Sequence, residues 1–293
     1  MNNTSKIKYL TAMFIYGTVA IFSHYILLSP TLIVLTRAVL GVLVILVYAF
    51  IFKKQKIDFT AIKNNILWLI LAGIALGLNW VCLFTSYNYT TVAIATLLNY
   101  LAPVIMILLS PLLLKEHLSI KKIICVLIAV IGMVFVTDPI GLAGGINRTG
   151  LLLGLGSALT YVGLIVFNKY MKDIDPYSKT SFVLLIASLV IFPFMMFNTD
   201  FSVIEIDYKM IILLLVIGII HTGFAYILYF GSMPNLDGQT ISILSYIEPV
   251  VSILLSVIIL RENMTIYTLI GTILILGATF ISELNLNKNQ EKT

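Results

Sequence analysis

The stretch NYLAPVIMILLSPLLLKEHLSIKKII fills residues 99–124, and a near copy, SYIEPVVSILLSVIILRENMTIYTLI, fills residues 245–270. Aligned without a gap, eleven of the twenty-six pairs are identical, and Pro103 with Pro249 is among them. The same offset continues to pair residues toward the N-terminus, so the duplicated unit covers more than one apolar segment. Two such halves in a membrane protein favour a carrier whose binding site lies between them.

The composition places the chain in lipid, because 60% of its residues are hydrophobic and only 11% are charged. Apolar runs of about 20 residues, long enough to cross a hydrocarbon core about 30 Å thick, recur along the chain. We therefore predict an all-α integral membrane protein with ten transmembrane helices. They are placed at residues 9–28, 31–52, 65–86, 91–114, 118–137, 149–169, 179–198, 208–231, 238–260 and 264–283.

The ten predicted spans divide into two five-helix repeats, residues 1–137 and 149–283, followed by a tail at 284–293. Most of the 18 Lys and Arg residues fall in segments on one side of the membrane, and such segments stay cytoplasmic. Both termini and the tail are thus predicted to be cytoplasmic. Because five is odd, the second repeat enters the membrane from the opposite side, and the repeats are inverted. The loop bias also accounts for the net charge of +5, so we expect no nucleic-acid partner.

The ends of the two repeats carry a family resemblance. AP and LLLKE stand at residues 102–103 and 112–116, YIEP and IILRE stand at 246–249 and 258–262, and Arg37 lies in LTRAVLG. On these motifs the whole chain resembles the EamA-type exporters of the drug/metabolite transporter superfamily. The resemblance implies a ten-helix fold of two tandem repeats. It also implies export of amino acids, their derivatives or other small metabolites.

Two features of the spans bear on their packing and bending. The spacings Gly73/Gly77 and Gly150/Gly154 put small residues one turn apart, which predicts close helix approach. The prolines Pro103 and Pro249 fall about halfway through the fourth and ninth spans, and each frees the carbonyl four residues earlier. In lipid those carbonyls need other partners, so the prolines mark a cavity near the midplane and serve as hinges. The alternative is that they only kink the helices for better packing.

Glu248 is the single residue that most strongly suggests a function. A carboxylate within a transmembrane helix costs at least about 2.5–3.5 kcal/mol unless it is paired, hydrated or protonated. A functional interpretation is binding of a proton or of a substrate amine. A structural interpretation is a protonated side chain that donates a hydrogen bond and fixes the helix beside Pro249. Both interpretations stay open at this point.

Polar and aromatic residues beside Glu248 are the remaining candidates for substrate binding. An aromatic cavity with a few hydrogen-bonding groups suits amphiphilic small molecules, and in the resembled family these helices would face the repeat interface. The alternative is that the same side chains form interfacial belts or simply pack. The predicted substrate-binding set is Asn79, Trp80, Asn99, Tyr100, Tyr161, Tyr226, Tyr246 and Glu248.

Four further positions are open to more than one interpretation. Arg37 lies about two turns into the second span, and we favour a guanidinium that reaches the outer interface over one that clamps a substrate carboxylate. His24 and His221 are intramembrane residues that could join Glu248 in a proton relay, with His221 the second proton-coupling candidate. Their spacing has no metal-ligand signature, so no metal and no cofactor is expected. Where similar proteins often carry Trp in the first span, this chain has Tyr16, which leaves aromatic recognition there open.

The functional prediction is a multi-pass exporter of small amphiphilic metabolites in the plasma or inner membrane, working by alternating access and with proton coupling as an option. The expected partners are a small-molecule substrate and the lipid bilayer, and a monomer and a homodimer both remain open. The alternatives are a membrane receptor or scaffold, and an intramembrane enzyme. The chain lacks GxSxG, HExxH and Walker-type motifs, so we predict that it is not an enzyme.

Overall fold

A computed structural model describes residues 3–54, 58–102, 104–106, 109, 120–136, 147–200, 207–232, 235–236, 244–245 and 247–283, and every regular element in these ranges is a helix. The helices of the first half are α1 (Asn3–His24), α2 (Pro30–Val47), α3 (Phe59–Asn64), α4 (Ile66–Ser86), α5 (Val92–Asn99) and α6 (Ile120–Val136). Those of the second half are α7 (Arg148–Tyr170), α8 (Pro176–Asn198), α9 (Tyr208–Leu215), α10 (Ala225–Ser232), α11 (Ile247–Ile258) and α12 (Ile266–Glu283). Two π-helical segments continue them, Tyr48–Phe52 after α2 and Val216–Phe224 between α9 and α10.

Five helical stretches within the described residues are long and apolar enough to cross a membrane, and shorter apolar helices accompany them. The five are Pro30–Phe52, Ile66–Ser86, Arg148–Tyr170, Pro176–Asn198 and Tyr208–Ser232. Large apolar side chains on their outer faces are exposed, with Phe197 at 89%, as expected for a surface in contact with lipid. The all-helical membrane class is confirmed, whereas the number of ten spans, their inversion and the side of the termini stay predictions.

Local capping decides where α8 begins. The helix starts at Pro176, ahead of the predicted apolar span at 179. Asp175 accepts hydrogen bonds from the backbone N–H groups of Tyr177 and Ser178 at 3.3 and 2.7 Å, and Pro176 occupies the first helical position, where its missing N–H matters least. A helix boundary set by capping therefore extends beyond the stretch that hydrophobicity alone marks.

Helices of one half pack mainly on helices of the other. Among the described elements, α1 contacts α10 and α11, α2 contacts α8 and the second π-helical segment, α4 contacts α7 and α8, α5 contacts α7 and α11, and α6 contacts α12. Exchanging each helix for its counterpart in the other repeat converts this set of pairs into itself. The pairing is therefore the same seen from either half of the chain.

The glycines predicted to allow close packing do so. A Cβ added to Gly73 on α4 would lie 2.5 Å from the Cβ of Ile186 on α8. A Cβ on Gly154 of α7 would lie 2.6 Å from the Cδ1 of Leu98 on α5. Both contacts join different halves, so the absent side chains let the two backbones approach across the interface.

Candidate functional site

The site begins where α5 stops. This helix ends at Asn99, and Tyr100 and Leu101 follow in a turn. The end falls four residues before Pro103, as expected because proline leaves the carbonyl four positions earlier without its partner. Pro103 itself lies outside the described residues. Tyr100 lies in this turn, within electrostatic range of the Glu248 carboxylate on α11.

Glu248 lies at the meeting point of both halves. It occupies the first turn of α11, directly before the buried Pro249. Seven tyrosines lie within electrostatic range of its carboxylate, and we call them the tyrosine cluster. They are Tyr9, Tyr16, Tyr87, Tyr100, Tyr161, Tyr226 and Tyr229. The first half supplies four of these rings and the second half three, so the carboxylate is enclosed jointly.

Rings of the tyrosine cluster pack against one another across α1 and α10. The centroids of Tyr9 and Tyr229 are 5.3 Å apart, and the Tyr16 ring meets Tyr226 edge-on at 5.6 Å. The Tyr9 hydroxyl lies 2.7 Å from the Ser245 hydroxyl. The structure therefore surrounds one carboxylate with aromatic faces and hydroxyl groups, which together can hold a cation or a proton.

Gly17 sets the distance between α1 and Glu248. A Cβ on Gly17 would lie 2.6 Å from the Val251 Cβ and 2.8 Å from the backbone carbonyl oxygen of Glu248. Real Cβ atoms do not approach other atoms so closely, so glycine is required for this helix crossing. The crossing places the neighbouring Tyr16 beside Glu248.

Arg37 is buried, and the prediction that it reaches the interface is wrong. The residue is 5% exposed, and its Nε donates to the Thr222 hydroxyl at 3.1 Å. Its Cζ lies 4.2 Å from the ring centroid of Trp80 and 5.4 Å from that of Phe84. The packing of α2 on the π-helical segment and α4 covers the side chain, so it has no path to the interface.

The surroundings of Arg37 compensate its charge only in part. Removing a guanidinium from water costs several kcal/mol. One hydrogen bond from a charged donor returns about 1.5–3 kcal/mol, and a desolvated cation–π contact about 2 kcal/mol. No ion pair to Arg37 is formed by the residues that the structure describes, although Glu248 lies within electrostatic range. Arg37 therefore carries its charge within electrostatic range of Glu248 and of three members of the tyrosine cluster, Tyr16, Tyr87 and Tyr226.

The π-helical segment Val216–Phe224 presents His221 and Thr222 next to each other on the inner side. The His221 Nε2 lies 2.9 Å from the Thr18 hydroxyl, and its Nδ1 lies 3.2 Å from the Val216 carbonyl oxygen. The charged side chain within its electrostatic range is Arg37. The structure therefore places His221 at the Arg37 end of the site. π-Helical turns are frequent at functional sites.

The predicted substrate-binding residues separate into three groups. Tyr100, Tyr161 and Tyr226 join Glu248 in the tyrosine cluster, whereas Trp80 covers Arg37. The remaining polar pair joins three helices: the Nδ2 of Asn79 donates to the Asn99 Oδ1 at 3.0 Å and to the Ser157 carbonyl at 2.8 Å.

Two other predicted site residues, Tyr246 and His24, have different outcomes. Tyr246, like Pro103, lies outside the described residues. His24 is the last residue of α1 and is exposed, so the structure does not bring it to Glu248. Within the described ranges no three His, Cys, Asp or Glu residues are grouped so that they could hold a metal ion.

Sequence reasoning missed three members of the tyrosine cluster, Tyr9, Tyr87 and Tyr229, and left the role of a fourth, Tyr16, open. A signal was present for two pairs. Tyr9 and Tyr16 are seven residues apart, and Tyr226 and Tyr229 are three apart, so each pair shares a helix face. Nothing in the sequence indicates that these two faces meet.

Glu262, one of the residues identical between the repeats, binds the other half. Its Oε1 accepts from the Val92 backbone N–H at 2.8 Å, and its Oε2 accepts from the Ala93 N–H at 3.2 Å. The Thr91 hydroxyl caps the same helix by accepting from the Ile94 N–H at 3.2 Å. The carboxylate after α11 therefore completes the N-terminal cap of α5. Its repeat partner, Glu116, is outside the described part of the chain.

Comparison with known families gives this geometry a context. The model of the EamA-like transporter family matches residues 6–138 and again 148–284. The chain belongs to the EamA-like transporter family. This EamA-like protein is accordingly a membrane transporter, and it is a multi-pass protein of the cell membrane.

Relatives of this EamA-like transporter cover most of its length. The uncharacterized transporter YxxF of Bacillus subtilis is 27% identical over 93% of this chain and 87% of its own. An uncharacterized transporter of Clostridium kluyveri is 27% identical over 78% of this chain and 75% of its own. A crystal structure of 21% sequence identity covers 96% of this chain and 97% of that chain with a TM-score of 0.65, which is a likeness of fold.

Proposed function

We propose that the protein exports small amphiphilic metabolites, amino acids and related compounds among them, by alternating access. The observation that supports this most is the position of Glu248. Its carboxylate lies within electrostatic range of the tyrosine cluster, where helices of both halves meet. It offers an acceptor for a substrate amine, aromatic faces for an apolar portion and hydroxyl groups for further hydrogen bonds.

The mechanism rests on two inverted repeats that rock against each other, with Pro103 and Pro249 as hinges. The exchange-symmetric helix pairing supports it, since two conformations of opposite access then use equivalent sets of contacts. Because α1 and α11 belong to different halves, relative motion changes the side from which Glu248 is reached. The basic segments, and with them both termini, are cytoplasmic in this proposal.

Coupling to protons follows from competition at Glu248. A protonated carboxyl does not bind an amine as an ion pair, so proton and substrate amine exclude each other there. Entry of a proton on one side and departure of the amine on the other then form one cycle. His221 is the second proton-coupling candidate. The proposal requires no cofactor and no catalysis, and either a monomer or a homodimer satisfies it.

The test is release of a mixed amino-acid and metabolite load from proteoliposomes, read by mass spectrometry with and without a pH gradient. We expect selective loss of one compound class, accelerated by the gradient. In Glu248→Gln the gradient effect should disappear. Asp58→Asn is the matched control, because Asp58 is an exposed acid that caps α3 away from the site.

Two results would contradict the proposal. Normal transport with an intact gradient effect in Glu248→Gln would remove the proton role. No release of any compound by folded, reconstituted wild-type protein would contradict export of this substrate class.

A further inference from the structure

Arg37 has unused hydrogen-bonding capacity. A guanidinium carries five N–H donors, and in the part of the chain that the structure describes only the Nε–H of Arg37 has a hydrogen-bond acceptor, the Thr222 hydroxyl. The Trp80 ring covers the face of the guanidinium at 4.2 Å and accepts no in-plane hydrogen bond. The terminal N–H groups form the fork that matches a carboxylate, and they have no acceptor among the described residues.

A second donor lies close by without an acceptor. The hydroxyl of Tyr16 is buried and makes no hydrogen bond within the described residues. Tyr16 stands two residues before Thr18, whose hydroxyl lies 2.9 Å from the Nε2 of His221, and His221 directly precedes Thr222, the acceptor of Arg37. Buried donors in native proteins are almost always paired, so the unpaired Tyr16 hydroxyl and the unpaired guanidinium fork indicate an acceptor that is absent from the described residues.

We propose that Arg37 and Tyr16 form a subsite for the carboxylate of the transported molecule. The fork of Arg37 donates two parallel hydrogen bonds, the Tyr16 hydroxyl donates a third, and Trp80 forms the wall behind the guanidinium. This proposal rests on the proposed function and narrows its substrate class to compounds that carry both a carboxylate and an amine.

The arrangement of charges supports this class. Arg37 and Glu248 lie within electrostatic range of each other but form no ion pair. Gly17 brings α1 against the backbone of Glu248, and the preceding residue, Tyr16, lies within electrostatic range of both Glu248 and Arg37. A zwitterion that places its amine at Glu248 and its carboxylate at Arg37 neutralises both groups at once. A simple amine leaves the guanidinium unpaired.

Trp80 provides a local reporter for the test. The chain has two tryptophans, so Trp68→Phe leaves Trp80 as the only indole, in contact with Arg37. Purified Trp68→Phe protein is titrated with each proteinogenic amino acid and with the matching primary amide, which keeps the amine and side chain but lacks the carboxylate. We expect a saturable change of Trp80 fluorescence with a subset of the acids and at least tenfold weaker binding of their amides.

Variants separate a binding role from a structural one. Arg37→Gln should abolish the preference for acids, Arg37→Lys should retain part of it, and Tyr16→Phe should weaken acids several-fold without affecting amides. Arg148→Gln is the matched control, because Arg148 is an exposed guanidinium at the start of α7. Equal binding of acids and amides by the wild-type protein would overturn the subsite, as would an unchanged preference in both Arg37→Gln and Tyr16→Phe. The proposed function would survive either result, because release from proteoliposomes measures transport independently of this selectivity.

Discussion

Replacing Glu262 by Ala tests whether a side chain of the second half stabilises a helix of the first. Its Oε1 accepts from the Val92 N–H at 2.8 Å, a charge-assisted bond of about 1.5–3 kcal/mol. The bond to the Ala93 N–H is longer, 3.2 Å, and Glu262 is partly exposed, so we discount the sum for solvent screening. The expected loss is about 2 kcal/mol, or about a 30-fold shift of the unfolding equilibrium.

The assay is reversible unfolding in mixed micelles, followed by tryptophan fluorescence. Glu262→Gln keeps a carbonyl oxygen for one N–H group and should lose only about 1 kcal/mol. Asp207→Ala is the matched control, because Asp207 caps α9 within its own half by accepting from the Met210 N–H at 2.7 Å. Unfolding of Glu262→Ala at the wild-type midpoint would refute the reasoning. An equal loss in the Gln and Ala variants would assign the effect to charge instead of hydrogen bonding.

Three further predictions concern the helix crossing, the carboxylate and the asparagine bridge. Gly17→Ala should lower stability by about 1–3 kcal/mol and reduce transport, whereas Gly277→Ala, whose Cβ would meet nothing within 4 Å, should leave the thermal midpoint unchanged or higher. Tyr100→Phe should alter the pH profile of transport because Glu248 loses a hydroxyl within its electrostatic range, and a profile identical to that of the wild-type protein would contradict this. Asn79→Ala should lower the free energy of unfolding by about 1–3 kcal/mol, measured in detergent, and a smaller change than in a surface Asn→Ala variant would count against the bridge.

Features that lie along one helix could be predicted from the sequence. The break at Asn99 follows from Pro103, since a proline acts on the carbonyl four positions before it in any helix. The same local reasoning singled out Glu248, because the energetic penalty of a carboxylate in lipid does not depend on which helices surround it. Close packing at Gly73 and Gly154 was predicted on the same basis, from spacing alone.

Features that depend on which helices meet could not be predicted. For Arg37 the sequence gives only the position along α2, which does not reveal that Trp80 and Thr222 come from α4 and the π-helical segment to cover it. Tyr9 and Tyr229 are distant in sequence, and only the pairing of α1 with α10 brings their rings to 5.3 Å. The repeat gave no help, because it compares equivalent positions, and contacts across the interface join non-equivalent ones.

The π-helical segment makes the site depend on the number of residues as well as on their kind. Successive residues in an α-helix are rotated by about 100° about its axis. A π-helical turn holds more residues than an α-helical turn, so the segment Val216–Phe224 gives α10 a different rotation relative to α9 than a continuous α-helix would. Deletion of a single residue there would rotate everything before it relative to everything after it. A one-residue insertion or deletion in this stretch therefore changes the orientation of more site residues than a point substitution does. Where an alignment places a gap here, the aligned transporters are expected to differ in the orientation of their sites.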